Sequence, residues 1–290
     1  ETYNRGLSLA KGEIIAILEG DDFWPEYKLE IQLRDFVEPQ VVLSSGLTCI
    51  VDENEQWLSI TPLKAFSAAV SNNQPVGYAG FWMLNPYGLT FTFPVATMIR
   101  KTALEAIGGF QKPSNLPLVD FPTFLRLSLE GEFRFRLHFF GYWRRHGGST
   151  TKSKLNFILE QAWKHGFSFL AQYRDRIPVS DADLDGLQRD WHFFMVQVCV
   201  VRGRMLASKG KWKLARKALS EGLLYERTRK TDLAIRVSKF LCLFHISPEF
   251  LFRIFRRGEW EKIVNLESGD VLVTEADMER ERVVCRWRSA

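Results

Sequence analysis

A short apolar run that ends in three carboxylates constrains the fold of this chain more than any other feature. Residues 14–18 are apolar throughout, and Glu19, Asp21 and Asp22 follow them at once. Such a run predicts a strand that is buried on both faces, as in a parallel sheet. Open α/β sheets bind ligands at the carboxyl ends of their strands, where carboxylate oxygens suit Mg²⁺ or Mn²⁺ bridged to a diphosphate. The alternative is that the acidic residues form only a solvated turn.

The first half of the chain alternates between helix and strand patterns. An opening helix is predicted to end at Gly12, and Asp120 is predicted to be the N-cap of a later helix. Phe133, Phe135 and Leu137 alternate with polar residues, which predicts a strand with one buried face. The other predicted elements are helices over 26–36 and 102–107, strands over 41–43, 48–51 and 95–99, and a long loop or short-helix insertion over 60–95.

From residue 152 onward the strand patterns disappear and helical patterns follow one another. One hairpin near residues 202–226 resembles a single helix-turn-helix repeat of the tetratricopeptide type. We therefore predict a first domain over 1–151, a helical domain over 152–263 and a charged tail over 264–290. The predicted helices of the second half cover residues 153–175, 183–208, 211–226, 231–244 and 248–257.

The composition argues against several classes of protein. The four cysteines have no metal-finger or redox spacing, so we expect reduced, mostly buried thiols in a cytoplasmic protein. No apolar run approaches the ~20 residues of a membrane-spanning helix. The net charge of +5 comes from the second half, because residues 1–150 hold 13 Lys and Arg against 16 Asp and Glu. Residues 202–263 hold 16 Lys and Arg against 6 Asp and Glu, but no nucleic-acid-binding motif, so no nucleic acid is expected as a partner.

Three sequence blocks, in order along the chain, resemble the family 2 glycosyltransferases of the GT-A fold. The resemblance implies an α/β protein, with a truncated GT-A (Rossmann-like) sheet core followed by an all-α C-terminal helical region. It also implies that a base-binding portion of roughly 80–100 residues precedes Glu1, so this chain alone is expected to be inactive. The first block runs from Asn4-Arg5-Gly6 through the acidic turn and Trp24 to Lys28-Leu29-Glu30. The second contains Ala96 to Arg100, Gly108-Gly109-Phe110, Asp120 and Arg126-Leu127. The third runs from Tyr142 to Thr150.

The resemblance makes the acidic turn a metal site of the DXD-like kind. Asp21 is expected to bind Mn²⁺ or Mg²⁺ directly, while Glu19 and Asp22 assist through water or the ribose. Glu19 stands where the family usually has Asp, and its longer side chain shifts the oxygen by about one methylene. His146 is a further candidate ligand for the metal or for a phosphate oxygen.

Four more residues are candidates through the same resemblance. Asp120 is expected to be the general base that removes the proton of the acceptor hydroxyl, although it can also be only a helix cap. Arg144 and Arg145 are expected to neutralise the diphosphate, the alternative being an ordinary basic surface loop. Trp24 either stacks on the sugar or packs beneath the site.

Together these features predict an inverting, metal-dependent transferase of the kind used in polysaccharide biosynthesis. It would move a sugar from a nucleotide-sugar donor to a hydroxyl of a glycan or lipid-linked acceptor. The alternative is a non-catalytic scaffold or binding protein that acts through the basic helical half. Residues 248–257 combine an apolar face with an arginine face, so they either lie against an anionic membrane at its cytoplasmic face or dock on the preceding helices.

Overall fold

A computed structural model describes residues 2–61, 73–84, 86, 92–145 and 150–248. The chain divides into two compact units, with the boundary between Ser180 and Asp181. The first unit contains a sheet with helices, and the described part of the second contains only helices. This mixed α/β sheet core followed by a helical region confirms the predicted fold class.

The first unit is built on six described strands in one sheet. The sheet has the order β1-β5-β2-β6-β4, and β3 pairs with β2. Only the β2–β6 pair is parallel, while the other pairs are antiparallel. The strands are β1 Ile14–Ala16, β2 Val41–Val51, β3 Trp57–Thr61, β4 Asn73–Gln74, β5 Met98–Arg100 and β6 Glu132–Arg144.

Nine helices lie in the described ranges, and short 3₁₀ turns follow α2 and α8. α2 begins at Lys28 rather than at residue 26 as predicted, and the four predicted helical segments between residues 153 and 244 are confirmed. The helices are α1 Thr2–Leu9, α2 Lys28–Leu33, α3 Tyr78–Leu84, α4 Lys101–Ala106, α5 Asp120–Leu127, α6 Thr150–Gln172, α7 Asp181–Ser208, α8 Trp212–Glu221 and α9 Arg229–Leu243.

The long strands β2 and β6 form the centre of the first unit. Every residue of β2 is buried, which suits its content of Val, Ile, Leu, Thr and Ser. Gly46 lies at the closest approach of the two strands, because a Cβ there would lie 2.5 Å from the Phe140 ring and 2.7 Å from the His138 carbonyl oxygen. Phe133, Phe135 and Phe140 are completely buried beside it. The core of the unit therefore surrounds this parallel pair.

Two strand predictions were wrong in detail. β1 is half-buried and pairs only with β5 among the described strands, in antiparallel register, so it is not a parallel strand covered on both faces. β6 is not exposed on its polar face, because Arg134 is buried and forms ion pairs with Glu132 and Glu38 at 2.7 and 2.6 Å. β6 is flanked by β2 and β4, so its polar residues need partners within the protein.

Two helix ends also differ from the predictions. α1 ends at Leu9 rather than at Gly12, and Gly12 does not have the positive φ of a C-terminal cap. Asp120 is the first helical residue of α5, and the cap position belongs to Val119. The end of α4 is as predicted, because Gly108 and Gly109 both have positive φ, at 80° and 86°.

The second unit is a set of packed helices with its own apolar core. α7, α8 and α9 contribute Val196, Val200, Ala215, Leu219 and Ile235, all essentially inaccessible to solvent. α7 and α8 form the helix-turn-helix predicted near residues 202–226. Cys49, Cys199 and Cys242 are buried and form no disulfide, as expected, whereas Cys285 is outside the described residues.

Several predictions fall partly or wholly outside the described residues. They concern parts of the loop at 60–95, His146, residues 249–257 and the tail at 264–290. The change from strands to helices predicted at residue 151 lies inside the first unit, which contains all of α6. The domain limits 1–151, 152–263 and 264–290 stay predictions.

Candidate functional site

The acidic turn follows β1 and is closed by its own backbone. Ile17 continues the strand by donating its N–H to the Thr97 carbonyl at 3.5 Å, and Asp22 donates its N–H to the Glu19 carbonyl at 3.2 Å. Glu19 and Asp21 are exposed, whereas Asp22 is half-buried. Two carboxylates of the turn thus face solvent, and the third lies against the protein.

Asp22 has one satisfied oxygen and one free oxygen. Its Oδ1 accepts the backbone N–H of Arg144 at 2.9 Å. Its Oδ2 is buried and has no hydrogen-bond partner among the described residues. Burial is the main reason that the pKa of Asp22 is raised to about 7. The charges of Asp21 and Glu19 contribute to this rise, and the hydrogen bond from the Arg144 N–H partly opposes it. A cation beside Oδ2 would remove this cost of ionisation.

The turn is joined to the end of β6 by Phe23 and Tyr142. Each residue donates its N–H to the carbonyl of the other, at 3.2 Å from Phe23 and 2.9 Å from Tyr142. Their rings stack at 4.5 Å between centroids with an interplanar angle of 4°. The first and third sequence blocks therefore meet directly in space.

The Arg144 side chain holds the same junction from outside. Its Nε donates to the Asp21 carbonyl at 2.9 Å, Nη1 donates to the Glu53 carbonyl at 3.3 Å, and Nη2 donates to Glu55 Oε1 at 2.9 Å. Its guanidinium carbon lies 5.3 Å from the centre of the Phe23 ring. Arg144 must give up some of these acceptors if it is to bind a diphosphate.

Arg145 lies next to the same junction. Its backbone N–H donates to the Val51 carbonyl at 2.8 Å, and its guanidinium carbon is 5.4 Å from the centre of the Trp143 ring. His146, the next residue, lies outside the described residues.

Tyr3 connects the acidic turn to the start of α5. Its hydroxyl donates to Glu19 Oε1 at 2.5 Å. Burial raises the pKa of Tyr3 above its usual range, and the hydrogen bond to Glu19 and the charges of Glu19, Asp120 and Asp22 add to this. The charges of three carboxylates from two separate segments thus act on one phenol.

Asp120 is half-buried at the first turn of α5. Burial raises the pKa of its carboxyl to about 6, and the charge of Glu19 adds to the rise. The backbone N–H groups of Phe121 and Asp120 itself hold the pKa lower than it would otherwise be. Asp120 therefore interacts with the helix N-terminus as a first-turn residue and also with the acidic turn, which is compatible with both roles considered for it.

Asn4 connects the first block to the second. Its side-chain amide donates to the Phe110 carbonyl at 2.9 Å and accepts the Phe110 N–H at 2.7 Å. The Tyr3 ring lies 5.0 Å from the Phe110 ring. This two-way bond fixes α1, which carries Tyr3, to the glycine turn that follows α4.

Comparison with known proteins supplies the family. Residues 1–108 match the model of "Glycosyl transferase family 2". The match covers 108 of the 290 residues, and over this segment the chain is similar to that family. No curated protein matches the chain. Similar solved structures include S. aureus TarS 1–349 in complex with UDP-GlcNAc, at 14% identity and a TM-score of 0.37 over 81% of this chain and 70% of that one. S. aureus TarS 1–349 without that ligand is 12% identical, with a TM-score of 0.33 over 81% and 68% of the two chains.

The family 2 match confirms the resemblance seen in the sequence and supports glycosyl transfer in general terms. It covers the acidic turn, Tyr3, Asn4 and the Gly108 turn. It ends before Asp120 and the Tyr142 block, whose place in the site follows from the contacts above. None of the described helices is long and apolar enough to cross a membrane.

The acidic turn has carboxylate oxygens that are suitable ligands for a hard divalent cation. Carboxylate oxygens suit Mg²⁺ and Mn²⁺, which keep waters and phosphate oxygens and need only one or two protein ligands. The unpartnered Asp22 Oδ2 is an oxygen of this kind. Among the described residues, however, no three His, Cys, Asp or Glu side chains form a group that could hold a metal by themselves. The roles predicted for Glu19, Asp21, Asp22 and His146 stay predictions.

Three residues around the acidic turn were given no role from the sequence. Tyr3 carried no signal, while Asn4 and Lys28 were part of motifs but had no assigned function. Lys28 is fully buried, and its ammonium lies 5.2 Å from the centre of the half-buried Trp24 ring. A buried lysine has no signature in a single sequence, because the same residue is normally exposed.

Proposed function

We propose that this chain carries the metal-side and acceptor-side parts of an inverting, metal-dependent glycosyltransferase. It acts on a nucleotide-sugar donor and transfers the sugar to a hydroxyl of a glycan or lipid-linked acceptor. The observation that supports this most strongly is the hydrogen bond from the Tyr3 hydroxyl to Glu19 of the acidic turn, with the charges of Asp22 and Asp120 also acting to raise the pKa of the same phenol. Glycosyl transfer needs both a carboxylate for the metal and a carboxylate for the acceptor, and this arrangement provides them.

Asp120 is the proposed general base. Its carboxylate accepts the proton of the acceptor hydroxyl as that oxygen attacks the anomeric carbon. Burial raises the pKa of Asp120 to about 6. The carboxylate is ionised above that pH and is a stronger base than an unperturbed Asp, so turnover should rise as the pH passes through about 6.

The acidic turn and the end of β6 are proposed to receive the diphosphate. Asp21 and Asp22 would hold Mn²⁺ or Mg²⁺, with Glu19 assisting, and the bound cation would neutralise charge on the diphosphate leaving group. Arg145 directly follows β6, and we include it with Arg144 and His146 as candidates for the phosphate oxygens. Trp24 is proposed to support the turn from beneath.

The test compares carboxylate variants in a protein that includes the coding sequence upstream of Glu1. Asp120→Asn should lower kcat by about 10²-fold or more with little change in donor KM, since a base acts in the transition state. Asp21→Asn should abolish transfer and weaken Mn²⁺ binding while the protein stays folded. Glu26→Gln is the matched control, because Glu26 is an exposed carboxylate close to the turn.

Two outcomes would contradict the proposal. Full transfer in EDTA, or a fully active Asp21→Asn protein, would remove the metal from the mechanism. Absence of transfer in every preparation, with wild-type Asp120 in place, would favour the alternative of a scaffold that acts through the basic helical unit.

Residues 248–257 add a proposed contact with an anionic membrane at its cytoplasmic face. Flotation with anionic vesicles should detect this contact, and both salt and the double change Arg256→Glu with Arg257→Glu should weaken it. Equal behaviour on neutral and anionic vesicles would exclude it.

A further inference from the structure

We propose that Lys28 is a positioning residue for the acidic turn, which it holds from behind by fixing the Trp24 side chain. The inference rests on the proposed function for its importance in catalysis. The geometric part of the proposal, a turn held in place by a buried ammonium group, can be tested without a metal or a substrate.

Lys28 is fully buried although it belongs to α2, a helix whose neighbouring residue Leu29 is exposed. Its ammonium lies 5.2 Å from the centre of the Trp24 ring and 5.7 Å from the centre of the Phe140 ring. Among the described residues, the ammonium donates one hydrogen bond, to Gln32 Oε1 at 2.5 Å. Burial lowers the pKa of Lys28 to about 7. A lysine placed at such a cost needs a structural reason.

The orientation of Gln32 makes a donor at this position necessary. Gln32 Nε2 donates to the Ser44 carbonyl, the Ser44 hydroxyl and the Ala96 carbonyl, at 3.0, 3.1 and 3.1 Å. Because three acceptors face the NH₂ group, the amide oxygen must point the other way, toward Lys28. Without the ammonium, that buried oxygen would lose the only donor described for it.

The hydrogen bonds continue in one direction into the core of the sheet. The Ser44 hydroxyl, which accepts from Gln32, donates to Asp35 Oδ2 at 2.6 Å. Asp35 is buried and forms an ion pair with Arg136 of β6. From Lys28 through Gln32 and Ser44 to Asp35, each side chain donates a hydrogen bond to the next. This series of hydrogen bonds fixes the position of the ammonium relative to β2 and β6.

Trp24 transmits this position to the carboxylates. It follows Asp22 by two residues, and between them Phe23 is held by its backbone hydrogen bonds to Tyr142. The Trp24 Nε1 is buried and has no hydrogen-bond partner among the described residues. The indole is therefore held by packing and by the ammonium over its ring rather than by a hydrogen bond, and such a contact over Trp is the strongest of its kind.

The test measures amide hydrogen exchange by NMR on the full chain without metal. In Lys28→Met, the Asp22 and Phe23 amides should exchange about tenfold faster, while the Gly109 and Tyr173 amides, which are bonded elsewhere in the first unit, keep their rates. Lys112→Met, a change at an exposed lysine, should leave all four amides as in the wild type. If Lys28 contributed only to global stability, all four amides would accelerate together, and this result would overturn the proposal.

A second variant and a second measurement keep the test decisive. Trp24→Phe keeps an aromatic ring but weakens the cation–π contact, so it should also increase the exchange rates of the Asp22 and Phe23 amides. This variant replaces Lys28→Met in the test if Lys28→Met does not fold. Both variants should weaken Mn²⁺ binding about tenfold, and the double variant should be no weaker than either single one, because the two residues act in series. If the wild type binds no Mn²⁺, the proposed function fails while the exchange rates still decide the positioning role. Unchanged Asp22 and Phe23 exchange in both folded variants would exclude that role.

Discussion

The two units of this protein differ in what they bury. In the first unit, Lys28, Asp35 and Arg134 are buried, and Asp35 and Arg134 form ion pairs with Arg136 and Glu38, which are far away in the sequence. In the second unit, the buried polar residues of the described part are Gln197 and Ser238, neither of which carries a charge. Its ion pairs, such as those of Asp232 with Arg227 and Arg236 and that of Arg202 with Glu221, lie near the surface.

This difference indicates which unit contains buried charges that contribute little stability but fix the relative positions of side chains. A helical array can be held together by apolar contacts alone, as Val196, Leu219 and Ile235 show in the second unit. Buried charges contribute little net stability, but they fix the relative positions of the groups they connect. Among these buried charges, Lys28 contacts the segment of the acidic turn, because its ammonium lies against the Trp24 ring.

The largest expected effect concerns the buried ammonium of Lys28. Its pKa falls from 10.5 to about 7 on folding, so the unfolded chain binds more protons than the folded chain between these values. The free energy of unfolding of the wild type should therefore rise with pH from about 7 to about 10, relative to Lys28→Met. Urea unfolding at several pH values measures the difference between the two proteins. A pH-independent difference would mean that Lys28 titrates as an exposed lysine.

The comparison with Lys28→Met is necessary because other groups act in the opposite direction. Burial raises the pKa of Asp22 to about 7 and that of Asp120 to about 6, so each makes the folded state less stable as the pH rises from 3.8 to those values. The raised pKa of Tyr3 has the same sign above about 10, where the unfolded tyrosine ionises. Subtracting the Lys28→Met curve removes these contributions from the result.

The next largest effect is expected at the other end of the same hydrogen-bonded chain. Asp35→Asn removes the charge that Arg136 and the Ser44 hydroxyl both face in the core. We expect the free energy of unfolding to fall by about 3 kcal/mol, since the buried Asp35 carboxylate accepts charge-assisted hydrogen bonds from both the Ser44 hydroxyl and Arg136. Glu30→Gln is the control, because its ion pair with Arg34 is exposed on both sides and should be nearly silent. Equal losses in the two variants would contradict the special position of Asp35.

The sequence predicted the second unit better than the first. Helical periodicity depends on neighbours three and four residues away, and the three helical segments it marked between residues 183 and 244 are confirmed. The strand at residues 14–16 was correctly located, but its antiparallel pairing with β5 and its position at one end of the described sheet depend on distant segments. Burial of Arg134 was missed for the same reason, since its partner Glu38 is remote in the sequence.

The candidate site shows the same limit. The motifs located the acidic turn, Asp120 and the Tyr142 block, and the family 2 match confirms the first of these blocks. They could not show that the Tyr3 hydroxyl donates a hydrogen bond to Glu19, or that the Lys28 ammonium lies over the Trp24 ring. These facts depend on how side chains from α1, α2 and β1 meet in three dimensions. Side-chain type and spacing along the chain carry no information about such meetings.

A smaller effect is expected from the glycine turn that Asn4 holds. Gly109→Ala places a residue at a φ of 86° and brings its Cβ within 2.5 Å of Asn4 Oδ1, so we expect a loss of about 2 kcal/mol. Gly108→Ala is a matched control, because its φ of 80° is equally unfavourable but no atom lies within 4 Å of the new Cβ. It should lose only about 1 kcal/mol. Thermal unfolding measures both, and equal losses would show that contact with Asn4 contributes nothing.

The smallest effect is expected in the second unit, from Asp232→Asn. The carboxylate accepts from Arg236 Nε at 2.6 Å and from Arg227 Nε at 2.8 Å, and these bonds lower its pKa. A depressed pKa stabilises the fold above the unfolded value of 3.8, and this contribution disappears as the pH falls below it. Because the pairs are near the surface, solvent and salt screen them. The melting temperature of Asp232→Asn should therefore be only slightly lower than that of the wild type at neutral pH and low salt, and the gap should close both at pH 3 and in 1 M NaCl. A loss as large as that of Asp35→Asn would show that the second unit also depends on fixed charges, and the contrast between the two units would no longer hold.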